Sequence, residues 1–295
     1  MRTYVSVIIP VFNDPGGIRA TLQSLLQIEY PEDSHEIVVV DNGSTDETKQ
    51  TAEEIAASHD HVSIVVEDDI QSSYAARNRG IEIAVGEILV FIDADMEVEG
   101  TWLTELTEFF DETEVDYVGY DVEVKLSNSQ LTLVGLYSQA IEFPVELYVN
   151  RMNFAPTCSM AVRSDVVENV GAFNEILVSS GDAEFGHRVA AAGYEQRFVS
   201  DITVYHPART KLREHIQKSR RLGRGREQRY NMSNDLRPWY HPKNVLPPDP
   251  IRFKYRVGNT QVYSIYLLLI FFLLDYFFKL FKLIGRLEER VGIPK

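Results

Sequence analysis

Apolar residues along the first hundred positions fall into short unbroken runs separated by amphipathic stretches. Val5-Ser6-Val7-Ile8-Ile9-Pro10 is the first run. Continuous rather than alternating apolar runs mark strands covered on both faces. Gly16 and Gly17 open a helix over about Ile18–Leu26, with apolar positions at 18, 22, 25 and 26. Glu36–Val40 forms a second strand ending in Asp41, and a helix follows from about Asp46. Ser63–Val66 is a third strand, Tyr74–Val85 a helix, and Glu87–Ile92 a fourth strand running into Asp93-Ala94-Asp95. The β-α-β-α-β-α-β order predicts an α/β protein whose mostly parallel sheet is flanked by helices.

The pattern loosens after Glu99. It predicts helices over Trp102–Phe110 and Gln130–Val149, and strands over Asp116–Lys125 and Cys158–Val162. Asp182–Ala192 is a helix ending at Gly193, Gln196–His206 is extended, and Arg209–Arg229 is a basic helix. Residues 231–260 carry Pro238, Pro242, Pro247, Pro248 and Pro250 and are predicted to be a linker or irregular wrap. The expected organisation is therefore a body over 1–230 (halves 1–99 and 100–230), the linker, and a hydrophobic tail over 261–295.

The tail begins with Val262–Leu274, which holds no charge. A helix of that length reaches about 20 Å, short of the roughly 30 Å core of a bilayer. Further on, Asp275, Lys279, Lys282 and Arg286 form one polar stripe at i, i+4, i+7 and i+11. A span with lysines snorkelling at one end, an in-plane membrane anchor, and a core helix or dimer seam all fit this pattern.

Charge sharpens the division. Residues 1–208 hold 10 Lys and Arg against 37 Asp and Glu; residues 209–295 hold 19 against 7. The overall −15 argues against nucleic acid as a partner. Residues 209–286 suit an anionic membrane surface. Carboxylates in excess, with 9 Lys beside 20 Arg, point to a protein kept soluble in high salt. Cys158 is the only cysteine, which excludes an internal disulfide framework and any multi-cysteine zinc site. The first apolar run is too short for a secretory core and meets Asp14, Pro15 and Gly16, so the body is expected in the cytoplasm.

Ligands of open parallel sheets bind beyond the carboxyl ends of the strands. There, Asp41 offers a carboxylate for a base or ribose hydroxyl, or for a hard cation. Asp93 and Asp95 offer two more, suited to Mg2+ or Mn2+ shared with substrate phosphates. An Asp-X-Asp triplet alone is also a common solvated turn. Arg77, Asn78 and Arg79 precede the Asp93 strand and suit contact with a nucleotide or its diphosphate; Arg77 and Arg79 are equally compatible with surface cations. Pro10, Phe12 and Asn13 are expected in the loop after the first strand, beside that nucleotide, although Phe12 also suits a core position. Asp182 stands where a helix N-cap is expected.

Four blocks in order carry a resemblance: Val5–Asn13, Glu36–Asp46, Ala76–Gly80 and Gly86–Asp95. Over about residues 4–210 the chain closely resembles the family 2 glycosyltransferases, which have the GT-A fold and use nucleotide-sugars. The resemblance implies that Asp41 and Asn42 help hold the base, that Asp93 and Ala94 lie near the ribose, and that Asp95 binds the metal with Asp93 nearby. Many members have Asp where Asn42 stands. Ser180–Arg188 resembles the family's acidic motif, in which the acid matching Asp182 is the general base. Many relatives have Glu-Asp there; here it is Gly181-Asp182, with Glu184 the fallback. His206 matches a position that approaches the metal and diphosphate in related enzymes.

The combined expectation is an inverting hexosyltransferase at the cytoplasmic face of the cell membrane. Its donor would be a UDP-, GDP- or dTDP-sugar, its ion Mg2+ or Mn2+, and its acceptor a hydroxyl of a polyprenyl- or dolichol-linked saccharide. A polyprenyl-phosphate sugar synthase and a non-catalytic nucleotide-sugar-binding membrane scaffold are the competing expectations.

Overall fold

The computed structural model describes residues 2–127, 131–233, 236–257 and 263–293. Its strands are β1 (Val5–Val11), β2 (His35–Asp41), β3 (Val62–Val66), β4 (Ile88–Phe91), β5 (Glu97–Val98), β6 (Tyr117–Lys125), β7 (Met160–Arg163) and β8 (Gln196–Pro207). Its helices are α1 (Pro15–Leu25), α2 (Thr48–Ala56), α3 (Ser73–Ile83), α4 (Trp102–Glu112), α5 (Leu133–Ile141) and α6 (Val145–Met152), then α7 (Ser164–Val170), α8 (Gly181–Ala191), α9 (Leu212–Met232), α10 (Pro250–Val257) and α11 (Ile265–Arg290).

The strands form one sheet in the order β3-β2-β1-β4-β7-β6-β8-β5. β1 lies parallel to β2 and β4, and β2 parallel to β3. β7 runs antiparallel to both β4 and β6, and β5 antiparallel to β8. Parallel character is thus confined to the four strands linked by helical crossovers. The central strands are buried along their length, as continuous apolar runs require. Gly80 lets α3 lie close on β1, since a Cβ there would meet Ile8 Cγ2 at 2.5 Å.

The chain divides into two compact units, one of residues 1–123, 145–176 and 181–206, the other of 124–144, 177–180 and 207–295. The single helix expected over 130–149 is two, α5 and α6. Phe143 between them has φ 58°, and Pro144 follows, so a continuous helix is blocked there. Residues 128–130, including the expected start at Gln130, lie outside the described residues.

The second unit is helical. α9 and α11 meet at two glycines: a Cβ on Gly223 would lie 2.0 Å from the Lys282 carbonyl, and one on Gly285 2.0 Å from that of Arg220. Phe253 and Val257 of α10 are buried with Tyr137, Ile141, Phe271 and Phe278. The expected linker therefore contains a packed helix. Asp275 is buried, accepting from Tyr137 Oη at 3.0 Å and Arg256 Nη1 at 2.7 Å. Arg286 is buried against Glu227. The stripe Asp275–Lys279–Lys282–Arg286 thus turns toward protein, whereas Tyr266, Leu269, Leu273, Phe277, Ile284 and Leu287 are exposed. Among the described residues no helix is long and apolar enough to cross a membrane, so the spanning option finds no support in α11. Val262 lies outside the described residues.

Candidate active site

Strands β2, β1 and β4 are neighbours running in one direction, so their carboxyl ends share one edge. Asp41 ends β2 opposite Val11. Asp93 follows β4, two strand spacings away, or roughly 10 Å across the sheet. Asp41 is buried; its Oδ2 accepts from the Ser44 amide at 3.1 Å. Its Oδ1 is buried without a partner among the described residues. A buried carboxylate oxygen left so is costly, and an N–H or O–H donor from a ligand would satisfy it.

The neighbouring residues hold this edge in shape. Asn42 Nδ2 donates to the Glu67 and Ile70 carbonyls at 2.8 and 2.9 Å, so both amide hydrogens are spent on the loop after β3. Asn13, at φ 50°, donates its backbone N–H to Ser44 Oγ and accepts from the Thr45 amide through Oδ1. Pro10 lies within β1 opposite Val40, not in the loop. Phe12 is 46% exposed, which rules out a core role. Gly17 approaches the Ala94 carbonyl so closely that a Cβ would lie 2.7 Å from it. The first turn of α1 therefore packs directly on the Ala94 backbone.

Arg77 is only 3% exposed, so the surface reading fails for it. Its Nη2 donates to Asp93 Oδ1 at 2.5 Å and its Nη1 to the Ser73 carbonyl at 3.0 Å. Arg79 is a surface cation paired with Glu82. Asn78 exchanges two hydrogen bonds with the Phe173 backbone, pinning the segment after α7. Antiparallel pairing of Glu97 with Tyr205 brings the Asp95 segment alongside the end of β8. His206, 2% exposed, consequently has Nε2 3.7 Å from Asp95 Oδ2.

Asp95 and His206 supply an oxygen and an imidazole nitrogen, a donor pair that Mn2+ or Mg2+ accepts. Among the described residues no group of three or more metal-ligating side chains converges. A pair fits an ion whose remaining positions are taken by substrate phosphates and water. One oxygen of Asp93 is already engaged by Arg77.

Asp182 lies in the first turn of α8, where its Oδ1 accepts from the Ala183 amide at 2.8 Å. Ser180 just before the helix has φ 66°, a left-handed backbone that turns the chain sharply into it. The Tyr74 hydroxyl, buried, accepts from the Gly181 amide at 2.9 Å. Burial, then the Asp182 carboxylate, pushes this phenol well above its usual range. A Cβ on Gly181 would sit 2.7 Å from Tyr74 Cζ. The tyrosine ring occupies the space that a Glu at position 181 would need. Tyr74 thus belongs to the site although it reads as an ordinary apolar helix residue in the sequence. Glu184, the fallback base, is held in two-point contact by Arg188.

One set of contacts therefore links the Asp182 turn to Tyr74, and Arg77 three residues on in α3 links to Asp93. The same order of motifs appears in known proteins: the model of glycosyl transferase family 2 matches residues 6–166. The chain belongs to glycosyltransferase family 2. Glycosyltransferase AglE of Haloferax volcanii is 39% identical over 225 residues, covering 76% of this chain and 73% of that protein. A pre-mycofactocin glycosyltransferase of Mycobacterium tuberculosis is 27% identical over 218 residues, 72% of this chain but 44% of its own length. Among solved structures, the mannosyltransferase PcManGT from Pyrobaculum calidifontis, in complex with GDP-Man and Mn2+, aligns with a TM-score of 0.67 at 17% identity. That alignment covers 100% of this chain and 89% of that one. S. aureus TarS 1–349 in complex with UDP-GlcNAc gives 0.59 at 18% identity, covering 98% and 92%. Both are GT-A glycosyltransferases, and this family 2 chain has the GT-A fold.

Proposed function

We propose that this family 2 glycosyltransferase moves a hexose from a UDP-, GDP- or dTDP-sugar to a hydroxyl of a lipid-linked saccharide, with inversion, at the cytoplasmic face of the cell membrane. The observation that carries the reading is the pairing of buried Arg77 with Asp93, from a helix whose Tyr74 also holds the Asp182 turn. Donor-side and acceptor-side acids are thereby tied together.

In this reading, Asp41 Oδ1 accepts a hydrogen bond from the base, with Phe12 packed beside it. Asp95 and His206 hold Mg2+ or Mn2+, which when bound offsets the negative charge of the departing diphosphate. Arg77 holds Asp93 aimed at the ribose. The Asp182 carboxylate takes the proton of the acceptor hydroxyl as its oxygen bonds to the anomeric carbon. The bond from that carbon to the diphosphate oxygen breaks in the same displacement, and the electron pair leaves with the nucleoside diphosphate. One displacement inverts the anomeric centre.

The membrane partner is supported by the second unit. The exposed apolar positions of α11 recur along one side of the helix, and Lys243, Arg252 and Lys254 are exposed nearby in sequence. Such a face suits a helix lying in the interface plane beside anionic headgroups.

The donor reading is tested by thermal shift with UDP-, GDP- and dTDP-sugars in Mn2+. A donor at 100 times its dissociation constant stabilises by about 2.7 kcal/mol. Asp41→Asn and Asp95→Asn should each diminish the shift; shifts as large as the parent's in both variants, or none with any donor, contradict the reading.

A further inference from the structure

Asp41 and Asp93 lie at the carboxyl ends of the parallel strands. The amino ends carry histidines instead. His35 opens β2, and His59 and His61 precede β3, which begins at Val62 beside Ile37. The length of β2, from His35 to Asp41, separates the two ends by about 20 Å.

The three imidazoles form a row. The ring centres of His35 and His61 are 4.9 Å apart with the planes inclined at 62°, and that of His59 stands 6.1 Å from His61. Two imidazoles sharing one zinc ion, each through a nitrogen about 2.1 Å from it, place their ring centres about 5 Å apart at a tetrahedral angle. The His35–His61 spacing is that of such a pair.

Hydrogen bonding leaves the required nitrogen open. His35 Nδ1 lies 2.9 Å from the Pro31 carbonyl oxygen, which only accepts, so Nδ1 carries the proton. Nε2 of the neutral ring is then a lone pair, and it is buried without a partner among the described residues. His35 is 1% exposed, so bulk solvent does not satisfy it either. His61 Nδ1 stands 3.9 Å from the Glu32 carboxylate. The His61 side chain makes no hydrogen bond among the described residues, so its ring can turn without breaking one. Glu32 is largely exposed and places a negative charge at the approach to the pair. A histidine held at Nδ1 by a carbonyl or carboxylate, with Nε2 open, is the usual arrangement of a metal ligand. Packing of core histidines edge to face accounts for the ring spacing but leaves His35 Nε2 unpaired.

We propose that His35 and His61 bind a zinc ion through their Nε2 atoms, tying the start of β2 to the start of β3. Two protein ligands are assigned because no three metal-ligating side chains converge among the described residues; water completes the shell. Imidazole suits zinc, whereas Mg2+ and Mn2+ favour oxygen ligands. This ion is therefore distinct from the one assigned to Asp95 and His206. Its role is to stabilise the fold, because it joins two chain segments at the end of the sheet away from Asp41 and Asp93.

The test uses the full chain, stripped of metal with EDTA and dialysed, with Zn2+ alone as the probe. Zn2+ should raise the melting temperature of the parent by several degrees. His61→Gln should lose most of that shift, and Asp95→Asn should keep it. No shift in the parent, a shift in His61→Gln as large as the parent's, or loss of the shift in Asp95→Asn alone overturns the site. A second readout needs no variant to fold. Nitrogen NMR spectra of the parent's imidazoles should show Nε2 of His35 and His61 moving on addition of an equivalent of Zn2+, with the His35 Nδ1–H signal retained. Unmoved Nε2 resonances, or loss of that Nδ1–H signal, contradict the proposal.

Discussion

Tyr74 and Gly181 act as a pair. A glycine is required at 181 because the tyrosine ring fills the space above it, and the hydroxyl in return satisfies the first amide of α8. Tyr74→Phe leaves that buried amide unpaired, a cost of about 1–3 kcal/mol. Under the proposed function it should also lower the turnover rate while leaving donor affinity unchanged, because the base is displaced and the donor contacts are not. Gly181→Ala should destabilise by about 1–3 kcal/mol through overpacking, with part of the loss recovered by Tyr74→Leu. Double-mutant stability and separate kcat and donor-binding measurements check both. Additive losses would show that the two positions are independent. The departure at 181 from the family's acidic pair was visible in the sequence. Its cause was not, since an aromatic at a helix start has the same pattern whether it fills a core or supports a catalytic turn.

At the scale of elements, buried parallel strands were legible because their apolar runs are unbroken and end at acids. β5 was not, because two residues carry no periodicity and its place depends on pairing with β8. The break between α5 and α6 was signalled by Pro144, which disfavours helix at Phe143, but the apolar pattern running through 130–149 masked it. α10 was hidden in a proline-rich stretch whose Phe253 and Val257 find a core only when α5 and α11 are present. β2 carries a testable device. His35 begins it, and its ring lies 4.9 Å from that of His61. Burial pushes both imidazoles down; at His35 this is opposed by the Pro31 carbonyl and Glu32 and reinforced by His61, and at His61 it is opposed by Glu32 and Asp60 and reinforced by His59. Their folded pKa values lie below the unfolded value of about 6.5. Between the two values the unfolded chain binds more protons, so stability falls as pH drops through about 6.5 and recovers above it. Melting temperature measured from pH 7.5 to 5 should decline, and His35→Gln should flatten the decline. An unchanged slope would remove His35 from the account.

At the scale of the whole molecule, acids dominate residues 1–208 and cations residues 209–295. The four family motifs were readable because each joins a strand end to a chemical group. Which polar side chains remain available was not readable. Asn42 and Asn78 look like ligand contacts in sequence, yet their amides are spent on backbone carbonyls. Arg77 looks like a surface cation and is buried. The polar stripe of α11, open in sequence to a membrane or a core role, meets protein at both ends: Asp275 takes Tyr137 and Arg256, and Arg286 takes Glu227 of α9. The central claim is that Asp182 removes a proton from a hydroxyl acceptor at the site where the donor is held. The most direct test is sugar transfer by Asp182→Asn alongside its donor affinity. The account predicts a fall of about 10²–10⁴-fold in transfer, the range expected for a lost general base, with donor affinity unchanged. Transfer at the parent rate would contradict it, and would point instead to an acceptor already ionised, such as a phosphate.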